Sequence, residues 1–75
     1  MNVGDLVIAT QDFHLAIHKS VRVVLIEDGA VMLIIDKWEG TFRNTIGMEF
    51  LKDGRKLTSE GGVANWDRFI KVLND

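Results

Sequence analysis

A chain of 75 residues with no cysteine and no proline holds one domain around a single core, and neither a disulfide framework nor a thiolate metal site can support it. Hydrophobic residues make up 47% of the chain and charged residues 27%, the composition of a folded globular domain rather than a disordered segment. Nine Lys and Arg against eleven Asp and Glu leave a net charge of −2, which departs from the basic balance of most nucleic-acid modules and is too mild for a mimic of nucleic acid.

The longest apolar run, Ala30 to Ile35, falls far short of the ~20 residues that a membrane helix requires. The opening "MNVGDLVIAT" has no basic segment followed by an apolar one and no glycine after Met1. The expected compartment is therefore the cytoplasm, with no membrane association.

Runs of Val, Ile and Leu separated by Asp-Gly pairs predict consecutive antiparallel strands and a mainly β fold. "VGDLVIAT", Val3 to Thr10, predicts a first strand patterned on Val3, Leu6 and Ile8. In "DFHLAIHKS", Asp12 to Ser20, Phe13, Leu15 and Ile17 alternate with His14, Ala16 and His18, which is a complete period-two match to a strand. Wound as a helix, the same stretch would bring His14 and His18 onto one face, about 5–6 Å apart at Cβ, as two metal ligands. There is no third histidine and no HExxH motif, so only carboxylates such as Asp12 remain to complete the set. Ligand count thus favours the strand.

"SVRVVLIEDGAVMLIID", Ser20 to Asp36, predicts a hairpin turning at Asp28-Gly29, with Leu25 opposite Met32 and Val23 opposite Ile34. That register gives the hairpin two apolar faces. Val24, Ile26, Val31, Leu33 and Ile35 would line the interior. Val21, Val23, Leu25, Met32 and Ile34, continued by Trp38, form a candidate protein-interaction patch. Coverage by the C-terminal segment, by a second copy in a homodimer and by another protein all remain open.

"TFRNTIGMEFLK", Thr41 to Lys52, keeps one parity throughout, with Phe42, Asn44, Ile46, Met48 and Phe50 on one side. It predicts a long half-buried strand that bends at Gly47. A second turn at Asp53-Gly54 pairs Phe50 with Leu57 and Lys52 with Arg55. The tip gathers Lys52, Arg55 and Lys56, with Arg43 on the same strand pair, as candidate phosphate contacts; Trp38 and Trp66 are candidate stacking surfaces.

In "ANWDRFIKVLND" the stripe Trp66, Phe69, Ile70 and Leu73 fits a short helix capped by Asn65. A single helical turn around Trp66 followed by a closing strand fits equally well. Catalytic chemistry finds little footing. Ser20 and Ser59 lack a nucleophile elbow, Glu27 and Asp28 are accounted for by a strand end and a turn, and "SEGGVANW" matches no phosphate loop. No enzyme activity and no cofactor are expected.

The order of an opening "VGDLVIA", bent antiparallel strands, a long central strand and a terminal "WDRFIKVL" resembles the SH3-like small barrels, including KOW and Tudor-type modules. The resemblance implies a single domain over residues 1–75, with about five to six antiparallel strands and a short helix or helical turn near the C-terminus. It also implies a binding module rather than an enzyme, and it transfers no ligand-binding residue. The expected function is docking on a partner protein as adaptor, inhibitor or regulator, which suits a small phage or mobile-element protein. The alternatives are a nucleic-acid-binding barrel using the basic tip and, last, a metal or enzyme site at His14 and His18.

Overall fold

The computed structural model describes residues 1–17 and 22–73. Seven strands form among them: β1 (Leu6–Ala9), β2 (Phe13–Ile17), β3 (Val23–Ile26), β4 (Val31–Glu39), β5 (Asn44–Lys52), β6 (Arg55–Val63) and β7 (Ile70–Val72). A 3-10 turn, Trp66–Arg68, precedes β7. All strand pairs are antiparallel, in the order β3-β2-β6-β5-β4-β1-β7, and the sheet curls into a half-barrel. The mainly β expectation holds, with more strands than anticipated.

The β5–β6 hairpin follows from local chemistry. Asp53 and Gly54 take φ of 52° and 77°, the two positive values that a tight right-twisting turn needs. The register set by that turn pairs Phe50 with Leu57 and Lys52 with Arg55. Gly47 pairs with Asp36, beside the point where the β4 register slips between Ile34 and Asp36.

Asp28-Gly29 behaves differently. A turn does form, closed by a hydrogen bond from the Ala30 N–H to the Glu27 carbonyl at 2.9 Å, but β3 pairs with β2, while β4 pairs with β1 and β5. Of the two central residues only Gly29 takes a positive φ, 92°, and a turn of that kind splays its arms instead of matching the strand twist. Other partners hold the splayed arms. Gly29 N–H donates to the Ala9 carbonyl and Ala9 N–H to the Ala30 carbonyl, both at 2.8 Å, and Asp28 N–H donates to Asp12 Oδ1 at 2.8 Å.

The expected hairpin register is therefore corrected, and with it the inward face of β4. Met32 and Ile34 lie in the core, each 1% exposed, while Val31 and Ile35 face outward. In β1 it is Val7 and Ala9 that are buried and Leu6 that is exposed. The rest of the core comprises Leu15, Ile26, Ile46, Met48, Phe50, Trp66 and Ile70.

Of the two C-terminal alternatives, the turn and strand form. Asn65 Oδ1 accepts from the Asp67 N–H at 3.1 Å, capping one short turn. Ile70 and Val72 then alternate inward while pairing with Ala9 and Val7; a free edge on β1 offers three residues more hydrogen bonds than a marginal helix would. Trp66 packs edge-on with Phe13 and Phe69, at ring-centroid distances of 6.3 and 6.2 Å. Its Nε1–H donates to the Asn44 carbonyl at 2.7 Å.

Candidate functional site

The outward face of β7, β1, β4 and β5 is assembled by strand register. Leu6 lies opposite Leu33, and Leu33 opposite Glu49; the Leu73 N–H donates to the Leu6 carbonyl at 2.9 Å, extending this row beyond β1. A second row runs alongside it, from Lys71 to Ile8 to Val31, and continues past the splayed end of β4 to Leu51, which pairs with Lys56. Residues two apart on a strand share a face, so both rows point the same way.

Leu6, Val31, Leu51 and Leu73 are between 45% and 75% exposed, while Ile8 and Leu33 between them are partly covered. The four exposed side chains amount to about two fully exposed aliphatic residues, a stabilisation of roughly 3–6 kcal/mol if all were buried. Leu6, Val31, Leu33, Glu49, Leu51 and Lys56 line one shallow groove. The charges sit at its ends. Glu49 and Lys56 approach each other to 3.3 Å at one side, and Lys71 stands exposed at the other.

The residues singled out from sequence are not brought together. Met32 and Ile34 are core, as the corrected register requires, and so cannot form part of an exposed patch. Val23 is exposed and Leu25 half-buried on β3, at the edge of the sheet. Trp38 is exposed on β4 beyond the bulge, opposite Thr45. Val21 lies outside the described residues. What the sequence did contain was the other parity of the same strand, Val31 and Leu33, and its partner face on β1.

The basic tip is dispersed in a similar way. Lys52 Nζ donates to the Leu25 carbonyl at 2.9 Å, Lys56 faces Glu49, and Asp53 occupies the turn between Lys52 and Arg55. Arg43 precedes β5 at its far end, nine residues or about 30 Å from Lys52, and its side chain lies over Gly62, where a Cβ would meet Arg43 Cδ at 2.8 Å. Trp66 is core and offers no stacking face.

His14 is exposed on β2, opposite Leu25; His18 lies outside the described residues. Among the described residues no three His, Cys, Asp or Glu side chains gather as a metal site, and no helix is long and apolar enough to cross a membrane. No protein-family model, curated protein or solved structure matches the chain.

Proposed function

We propose that this chain is a non-catalytic docking module of the SH3-like barrel type, binding a protein partner through the outward face of β7, β1, β4 and β5. The contiguous two-row apolar face carries this reading: aliphatic side chains in the middle and charges at the ends are the anatomy of a protein interface. The strand order, with a hairpin of β2 and β3 before three long strands, a 3-10 turn and a short closing strand, supports the SH3-like assignment. An adaptor, inhibitor or regulator role follows from binding without chemistry.

The nucleic-acid reading has weaker support. Of its four cations, Lys52 is engaged by a backbone carbonyl, Lys56 by a carboxylate, and Arg43 is remote, so few charges are free to displace counterions together.

The experiment is a nuclease-treated pull-down comparing the parent chain with Leu51→Asp. A stoichiometric protein retained by the parent and lost with the variant supports the docking reading. No protein partner after nuclease treatment, with nucleic acid recovered in a salt-sensitive manner and indifferent to Leu51 when the nuclease is omitted, overturns it.

A further inference from the structure

We infer that the occupant of this face is a second copy of the same chain. The inference rests on the docking reading above and names its partner. Two observations carry it.

The first is size. The apolar residues of the two rows present roughly 400 Å2, within the range of the largest patch on a monomer. With the charged ends formed by Glu49, Lys56 and Lys71 the face exceeds a tenth of the 5144 Å2 surface, the share that a stable interface takes from a small protein, and approaches the ~800 Å2 per partner of such interfaces.

The second is that the charge pattern complements itself. In one row Glu49 follows Leu73, Leu6 and Leu33; in the other Lys56 follows Lys71, Ile8, Val31 and Leu51. A two-fold axis lying in the interface and running across the strands exchanges the two rows. Leu33 of one copy then covers Val31 of the other, and Leu6 covers Ile8. Glu49 arrives over the partner's Leu51, beside the partner's Lys56, and the same contact forms a second time by symmetry. Lys71 lies over the partner's Leu73, where its aliphatic stem adds apolar contact. A patch carrying charge of only one sign would repel its own copy; this one carries both, in the rows that the axis exchanges.

The test is sedimentation velocity on the full chain over a concentration series, with circular dichroism as the control for folding. A reversible dimer is expected, weakened at least tenfold by Leu51→Asp and by Val31→Asp with the β spectrum retained. Should either aspartate variant lose its fold, Leu51→Gln reads the same contact. Glu49→Lys and Lys56→Glu should each weaken self-association, and mixing the two variants should restore it as a heterodimer, an outcome that the Glu49–Lys56 pair within one chain cannot produce.

A monomer at every concentration up to ~1 mM, or a dimer indifferent to Leu51→Asp and Val31→Asp, overturns the inference. A monomer that still captures another protein through Leu51 overturns the second-copy assignment and leaves the docking reading standing. A monomer that captures nothing removes both.

Discussion

Lys52 Nζ donates to the carbonyl of Leu25 at 2.9 Å, fastening the end of β5 to the edge strand β3 across the open side of the curled sheet. Among the described residues β3 pairs with β2 alone, and a free strand edge is a template for unwanted pairing. The lysine covers one of its outward carbonyls with a charge. Lys52→Met keeps the stem and removes the donor; it should lower stability by about 1 kcal/mol in urea denaturation and raise light scattering on storage. Unchanged values in both measurements would show that the contact does not guard the edge.

The division between core and surface on β4 predicts opposite fates for two substitutions of the same kind. Met32→Asp places a carboxylate where the parent side chain is 1% exposed, and should unfold the domain or cost several kcal/mol. Val31→Asp, on the neighbouring side chain of the same strand, which is 50% exposed, should change the unfolding midpoint of the isolated chain far less. Thermal melts of the two variants side by side check the parity of the strand.

Trp66 combines burial with a hydrogen bond to the Asn44 carbonyl. Trp66→Phe preserves most of the ring packing but leaves that carbonyl without its donor, at an expected loss of about 1–3 kcal/mol; Trp66→Ala should cost about 3–5 kcal/mol. Urea midpoints at constant slope would separate the two terms.

Gly61 sits beneath the aromatic cluster, where a Cβ would lie 2.7 Å from Leu15 Cδ2 and 3.4 Å from the Trp66 ring. Gly61→Ala should therefore destabilise by about 1–3 kcal/mol through overpacking. The companion change Leu15→Val makes room and should recover part of that loss, a coupling measurable in a double-mutant cycle.

Ser59 is fully buried on β6, and its Oγ has no hydrogen-bond partner among the described residues. Removing an unpaired buried hydroxyl while keeping the shape is close to neutral or favourable, so Ser59→Ala should hold or raise the melting temperature. A clear fall would reveal that the hydroxyl is bonded in solution.

The sequence was most legible where structure is local. Asp53-Gly54 joins strands that pair with each other, so the turn alone fixed the Phe50–Leu57 and Lys52–Arg55 pairings. Asp28-Gly29 offers the same dipeptide, but its flanking strands pair with β2 and β1, contacts that no short-range rule specifies. Because both faces of Val31 to Ile35 are apolar, composition could not say which side met the core. The inward choice of Met32 and Ile34 is made by the pairing of β4 with β1. The C-terminal segment was undecided for the same reason: β7 exists because Val7 and Ala9 present an edge to it. Trp38 and Trp66 look alike in sequence, yet only the second has a backbone carbonyl and two phenyl rings waiting.

The pairing of β1 with β7 carries a consequence for timing. Leu6 and Leu73 adjoin on the outward face although five strands separate β1 from β7 along the chain, so the face closes only when the most sequence-distant contact in the sheet has been made. Such contacts form late, because loop closure must precede their reward. A growing polypeptide would thus lack the completed outward face until Ile70–Val72 has docked, so the association proposed for this face would report completed folding and would be closed to half-made chains.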